Sequence, residues 1–374
     1  MYFLIAPDKF KGSIDSISLC TLLSKEIFLL DPLATVNTFP LADGGDGFAQ
    51  IIHHYFGTDP VFAATVDPFG RSIEAKYQYS QASQTAFIEM ASASGLALLS
   101  HEERDVMKAS SYGTGLLIKD AIEKGAKKII LGIGGSATND GGTGMAAALG
   151  YKFLTEGGFI IHPSGEMLST IHSILPPENN FLQEIEFTVA CDVKNPLYGP
   201  TGAAFVYSPQ KGASPEQVIT LDKGLMHLDS IFQQNFNQSV ASMPGAGAAG
   251  GMGAGCMIFL NARLIPGIDY VIESIGLEQE IAKADVIITG EGGFDMQSLQ
   301  GKVVGHIADL ARKQGKKIHV ICGECLLEES QLAELDIASV SSLVSFASTK
   351  MEAIKTPENF IPAAVKSLLQ NNRK

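Results

Sequence analysis

"IGGSATNDGGTGMAAALG", residues 133–150, decides how the rest of this chain is read. The apolar run "AKKIILGI" leading into it reads as a buried strand, and "GMAAALG" at its end as a helix. The polar, glycine-broken middle is therefore a loop at the C-terminal end of a strand. Strand, loop and helix in that order form an α/β unit, and α/β folds place ligands at that end of their strands. The loop itself admits two readings. Its glycines permit tight turns while Ser136, Thr138, Asn139 and Asp140 cap the helix, or they leave bare backbone N–H groups for an anion at a helix N-terminus.

Outward from this segment the alternation continues at both ends of the chain. "YFLIA" (2–6) reads as a strand, followed by the helix "SIDSISLCTLLSKEIFLL" (13–30). That helix has Ser13 as its expected N-cap and Ile14, Ile17, Cys20, Leu23, Ile27 and Leu30 on one face. "TVNTF" (35–39) is a second strand and "AQIIHHYF" (49–56) a second helix. Near the C-terminus, "ADVIITG" (284–290) reads as a strand, "EGGFDMQSLQGK" (291–302) as a loop, "VVGHIADLARKQG" (303–315) as a helix ended by Gly315, and "KKIHVICG" (316–323) as a strand. Between the ends, "PVFAATVDPFGRSIEAKYQYS" and "QTAFIEMAS" have the pattern of antiparallel strands with a turn at 68–70. The expected fold class is α/β with two domains. Residues 1–64 and 264–374 form a Rossmann-like parallel-sheet domain, and 65–263 an inserted α/β domain with a mixed sheet.

A chain of 374 residues is long enough for two cores. Its net charge of -13, from 27 basic and 40 acidic residues, opposes general binding to nucleic acid or to an anionic membrane. The start "MYFLIAPDKF" has neither the basic opening nor the apolar length of a secretory signal, so a cytoplasmic chain is expected, without a membrane span. Five cysteines do not make a disulfide framework in a chain of this size. Cys322 and Cys325 in "CGEC" lack the second ligand pair of a zinc site and the position of a thioredoxin motif, and read as structural thiols.

Six polar loops each draw on two or more of Asp or Glu, Gly and Lys: "APDKFKGS" (6–13), "LADGGDG" (41–47), "GGSATNDGG" (134–142), "ACDVKNP" (190–196), "PQKGA" (209–213) and "TGEGGFDMQSLQGK" (289–302). Each alone is an ordinary turn. Together they suit a metal-bound phosphate, with acids holding Mg²⁺ while lysines and N–H groups neutralise phosphoryl oxygens. No loop ends in the G-K-[ST] of a Walker A motif. The G-x-G-x-x-G at Gly245, Gly247 and Gly250 follows Pro244 and a polar run rather than a strand, which argues against a dinucleotide site.

Through these blocks, together with "DPFGR", "ASSYGTG", "GAGAAGGMGAG" and "PGID", the chain resembles the type I bacterial glycerate kinases over nearly its whole length. The resemblance implies ATP-dependent phosphorylation of D-glycerate, usually to 2-phosphoglycerate, by a two-domain α/β enzyme with one domain inserted in the other. In-line transfer is expected in a cleft between the domains, with ATP and Mg²⁺ as cofactors, D-glycerate as the small-molecule partner, and no nucleic acid or membrane. The motifs do not set an oligomeric state.

Glycerate brings one carboxylate and two hydroxyls, so its site needs a cation for the first and a carboxylate near the attacking hydroxyl. The catalytic candidates are Asp192, after the apolar strand "EFTVAC", with Lys9 and Lys11. Substrate-binding candidates are Asp8, Arg71, Ser136, Asn139 and Lys211, and nucleotide-binding candidates Gly134, Gly135, Thr138, Gly290, Glu291, Gly292 and Lys302. Asp43, Asp140 and Asp295 are the metal candidates. Two residues carry a structural alternative: Arg71 as the partner of Asp67 in a turn, and Asp192 as a cap for the turn at Asn195 and Pro196. Other functions stay open at this point. They are a nicotinamide-dependent oxidoreductase of a small hydroxy acid using the Gly245 loop, a phosphatase, and a non-enzymatic metabolite-binding protein.

Overall fold

The structure, a computed structural model, describes residues 1–42, 48–178, 181–299, 302–335 and 337–371. In chain order the strands are β1 (Tyr2–Ile5), β2 (Thr35–Thr38), β3 (Asp59–Val66), β4 (Ser72–Ser80), β5 (Thr85–Glu89), β6 (Lys128–Gly132) and β7 (Lys152–Leu154). They continue with β8 (Ile160–Ile161), β9 (Ser173–Leu175), β10 (Glu186–Ala190), β11 (Arg263–Ile265), β12 (Val286–Phe294), β13 (Ile318–Cys325) and β14 (Ile337–Ser342). The chain divides into two compact units, Met1–Tyr55 with Ile268–Lys374, and Phe56–Gly267. The expected boundary at 65 falls inside β3. That strand pairs with β4 from Asp59↔Tyr79 to Val66↔Ser72, and the pairing draws all of it into the second unit.

In the first unit the sheet order is β14-β13-β12-β1-β2, and every neighbouring pair is parallel. The first strand and the "DVIITG" strand are thus partners, as expected from the sequence. Counted along the chain within this unit, the order across the sheet is 2-1-3-4-5, a doubly wound arrangement whose direction switches between β1 and β12. The inner strands β1, β12 and β13 begin as near-continuous apolar runs because both faces are covered. Phe3, Ile5, Val286 and Ile288 pack with Leu19, Leu23 and Ile27 of the helix Ser16–Leu30 and with Val365 of the helix Ile361–Asn371. On the opposite pleat, Leu4, Ile287 and Val320 are equally buried, and the helices Leu277–Lys283 and Val303–Lys313 lie against β1 and β12. Each such side chain contributes roughly 1.5–3 kcal/mol of transfer free energy.

Two local expectations shift. The first helix begins at Ser16 and is capped by Asp15, whose carboxylate accepts from Ser18 N at 2.8 Å. Ser13 instead donates its hydroxyl to the Ile354 carbonyl at 2.6 Å, and Leu30, read as part of the buried face, is exposed. Strand β12 runs on to Phe294, through glycines read as loop, because Gly293 and Phe294 still pair with Glu324 and Cys325 of β13. Close approach explains one of those glycines, since a Cβ on Gly290 would sit 1.9 Å from the Ile321 carbonyl oxygen. Cys322 and Cys325 stand on β13 as free thiols, three residues apart and so on opposite faces.

The second unit has a mixed sheet, β11-β10-β6-β5-β4-β3, parallel from β11 to β5 and antiparallel beyond, with a small antiparallel sheet β8-β7-β9 beside it in the chain. Ile129, Leu131, Phe187 and Val189 of the central strands join a core that includes Phe232 and Phe259, whose rings meet edge to face at 5.4 Å. Among the described residues no helix is long and apolar enough to cross a membrane.

Candidate active site

In each unit a cavity opens at the C-terminal ends of parallel strands. In the first unit it lies at the β1/β12 switch point, where doubly wound sheets bind ligands. Asp8, Lys9 and Lys11 follow β1, Glu291 and Gly292 end the core of β12, and Lys302 starts the next helix; together they line a cavity of about 590 Å³. Phe10, Leu326, Val344 and Ile354 add apolar side chains to its lining. Gly290, one residue before this set, holds the strand ends together by accepting from Asp8 N at 2.8 Å.

The electrostatics of this cavity centre on Glu291. Its carboxylate is buried, and burial raises its pKa against the opposing pull of Ser298 and Lys302. Lys302 Nζ stands 3.5 Å from Oε2, while Oε1 is buried with no hydrogen-bond partner. Such an oxygen is costly unless something supplies a partner. Asp8 is also buried, with Oδ1 accepting from Lys9 N at 2.7 Å. Sequence reasoning missed Glu324 and Lys350, which line the same cavity and pair with each other at 2.5 Å. Lys350 lies in "ASTKMEAI", where nothing marks it as a site residue.

The second cavity, about 360 Å³, lies at the ends of β6 and β10. Gly134, Gly135, Ser136, Asp192 and Lys211 line it, with Tyr207 and Gln210, which the sequence did not single out. Lys211 ends a short 3-10 turn and is almost wholly buried. Its Nζ donates to Ser136 Oγ at 2.8 Å and to the Thr138 carbonyl at 2.7 Å. Burial pulls its pKa down to about 7, with the charge of Asp140 opposing the fall. Ser136 Oγ accepts from the lysine, so its own O–H stays available to donate. Asp192 is exposed, and its Oδ1 accepts from Gly267 N at 3.2 Å. The alternative turn-capping job belongs to Asn195 itself, which donates to the Thr201 carbonyl at 2.8 Å and accepts from Tyr207 at 2.6 Å.

Other candidates take different places. Arg71 is half exposed, with its guanidinium on Asp67 and, at 2.6 Å, on Glu103; it lines neither cavity. Thr138 and Asn139 are fully buried outside the cavity lining, with Thr138 Oγ1 and both Asn139 side-chain polar atoms unpartnered. Two of the three metal candidates are engaged in turns. Asp140 is buried and spends its oxygens on the Ser111 N–H and hydroxyl at 2.8 and 2.7 Å and on the N–H groups of Gly142 and Gly144 at 3.1 and 3.2 Å. Asp295 accepts the N–H and hydroxyl of Ser298 at 2.9 and 3.1 Å. An Asp beside glycines is as good a turn cap as a cation ligand, and here the turns hold both residues. Asp43 lies outside the described residues. Among the described residues no three Asp, Glu, His or Cys side chains gather around one point as a protein-built cation cage would require.

The glycines of the 134–142 loop also divide. Gly141 N donates to the Gly250 carbonyl at 3.0 Å, and a Cβ on Gly250 would lie 2.0 Å from the Thr138 carbonyl oxygen. Much of the glycine signal in both stretches therefore reflects backbone packed on backbone. It also removes the dinucleotide reading of Gly245, Gly247 and Gly250, whose loop is filled by this packing and follows no strand.

A doubly wound sheet with lysines and carboxylates at its switch point is joined in one chain to a mixed α/β unit with a Lys–Asp pocket. Comparison with known proteins gives the family. The profile of the Glycerate kinase family matches residues 3–372, and the chain belongs to that family. It is 39% identical over 366 residues to a glycerate kinase of Halalkalibacterium halodurans, covering 98% of this chain and 96% of that one. It is 39% identical to the glycerate 2-kinase of Escherichia coli K12, covering 95% and 93%. A solved structure from Salmonella typhimurium LT2, described as glycerate kinase 2, superposes with a TM-score of 0.85 at 35% identity over the full length of both chains.

Proposed function

We propose that this chain transfers the γ-phosphoryl group of ATP to a hydroxyl of D-glycerate by in-line displacement, forming 2-phosphoglycerate in preference to 3-phosphoglycerate. The preference follows the name of the Escherichia coli relative. The observation that carries the reading is the division of chemistry between the two cavities. The larger one offers Lys9, Lys11 and Lys302 to phosphoryl oxygens and apolar side chains to a base. The smaller one offers a buried cation, a hydroxyl donor, bare backbone and one exposed carboxylate, the set a small hydroxy acid needs.

Nucleotide is therefore assigned to Lys9, Lys11, Glu291, Gly292 and Lys302. Glycerate is assigned to Gly134, Gly135, Ser136, Asp192 and Lys211, because their cavity is the smaller. Lys211 and Ser136 hold the glycerate carboxylate. Asp192 accepts the proton of the attacking hydroxyl as the new O–P bond forms and the bond to the β-phosphate breaks. In a loose transition state this orienting role matters more than strong deprotonation. Mg²⁺ typically takes one or two carboxylates plus substrate phosphates. The unpartnered Glu291 Oε1, with Asp8 beside it in the same lining, fits that pattern, and the ion would supply charge neutralisation across the phosphates. A cytoplasmic location follows from the need for ATP.

The test is a coupled assay of ADP release with D-glycerate, ATP and Mg²⁺, with the product identified by phosphorus NMR. ADP formation that requires glycerate, and a 2-phosphoglycerate signal, are expected. Glycerate-independent ADP release would overturn the kinase reading, and a 3-phosphoglycerate product the regiochemistry.

A further inference from the structure

Most glycines in the two cavities are explained by the fold itself, through a left-handed φ or a backbone too close for a side chain; Gly135 and Gly323 are examples. Gly293 is different. Its φ is not positive, and a Cβ built on it would meet no atom within 4 Å. It sits on β12 in regular register with Glu324, where a Cβ has room, and glycine there weakens the strand. Yet it lines the larger cavity alongside Lys11, Glu291 and Lys302. Gly134 in the smaller cavity shows the same combination: ordinary φ, open space at Cβ, and a place in the lining. In each unit, then, a glycine the fold does not demand stands where a ligand would.

We infer that Gly293 is a ligand-contact position, its absent side chain leaving the volume through which the anionic part of the nucleotide approaches the β12 backbone. Close approach of backbone to ligand is a recognised use of glycine. Here the neighbouring lysines give the sign of the ligand, and the open Cβ position gives the place. The inference rests on the assignment of nucleotide to this cavity.

The full-length protein carrying Gly293→Ala, and separately Gly293→Val, tests it by three readouts. These are Tm, affinity for MgATP by titration calorimetry without glycerate, and glycerate KM. Because the fold has room for the new methyl, Tm should hold or rise slightly. MgATP affinity should fall by about tenfold in Gly293→Ala, the order expected for one overpacked methyl, and further in Gly293→Val. The glycerate KM should stay near its wild-type value. Unchanged MgATP affinity and glycerate KM in a folded Gly293→Ala protein overturn the inference and leave the cavity assignment standing. A raised glycerate KM with MgATP affinity unmoved overturns the cavity assignment instead. A marked fall in the Tm of Gly293→Ala shows that the methyl has no room, and overturns the inference as well.

Discussion

The two cavities use lysine in opposite ways. At the β1/β12 ends, Lys9 and Lys302 are half-buried and Lys11 and Lys350 exposed, so their ammonium groups stay in touch with water. At the β6/β10 ends, Lys211 has lost its water and has two neutral oxygens in exchange, Ser136 Oγ and the Thr138 carbonyl. A solvated lysine is a point charge that meets an already charged phosphate. A desolvated lysine near neutrality holds its proton conditionally, and an arriving carboxylate stabilises the charged form. The first arrangement suits a large polyanion. The second suits discrimination of one small acid.

The sharpest way to break this division is Asp192→Asn. The amide keeps an oxygen to accept from Gly267 N, so the local backbone should hold. It cannot take the hydroxyl proton. We expect kcat to fall by roughly 10² to 10⁴, with the ATP KM nearly unchanged and Tm close to wild type. Normal kcat in steady-state assays, with a lowered Tm, would make Asp192 a structural residue and move the base to another carboxylate.

Gly250→Ala comes next in size and separates structural glycines from ligand glycines. The new methyl would have to share space with the Thr138 carbonyl, at a φ of 71°. Strain and overpacking together should cost about 2–5 kcal/mol in urea unfolding, whereas Gly134→Ala, with open space at Cβ, should leave stability intact. Equal stabilities for the two variants would erase the distinction. The contrast also shows how far the sequence could be read. The parallel pairing of β1 with β12 and the hairpin of β3 and β4 were legible because apolar runs and turn residues are local signals. The partner of the 134–142 loop was not, because Gly250 lies more than a hundred residues away and periodicity carries no long-range register. For the same reason the surroundings of Asp140 could not be read: it is tied to Ser111, a contact no local pattern reveals. Asp8, Lys9, Lys11 and Glu291 line one cavity at strand ends, a position fixed by topology that the alternation of strands and helices did show.

Lys211→Met sharpens the comparison through pH. Unfolded, the ammonium titrates near 10.5, and in the fold near 7. Between those values the unfolded chain binds a proton that the folded chain does not, so this residue makes stability rise with pH across that window. Below about pH 7 the cost of burying the charge is present in full. Each pH unit inside the window adds up to about 1.4 kcal/mol. Unfolding free energies at pH 7 and 9 should therefore climb more steeply for the wild type than for Lys211→Met. Glycerate KM should rise above neutrality in the wild type and be high and flat in the variant. Parallel stability curves would mean that the lysine keeps its proton through solvent access.

The smallest effect is expected at Arg71, which sequence reasoning offered to the substrate carboxylate. Its guanidinium is already shared between Asp67 and Glu103, and the work of the turn is done by Asp67. That carboxylate is buried and accepts the N–H groups of Phe69 and Arg71 at 2.9 Å each. The pair with Glu103 is exposed on both sides and contributes little, because water screens the charges and the long side chain loses freedom, and the buried Asp67 keeps its two N–H donors without Arg71's guanidinium. Arg71→Ala should then leave kcat and both KM values at wild-type levels and lower Tm only slightly. Asp67→Ala strips two turn N–H groups of their acceptor and should cost roughly 1–3 kcal/mol. A raised glycerate KM in Arg71→Ala would return the guanidinium to the substrate, and the second unit would then hold a cation outside the small cavity that acts on the same acid as Lys211.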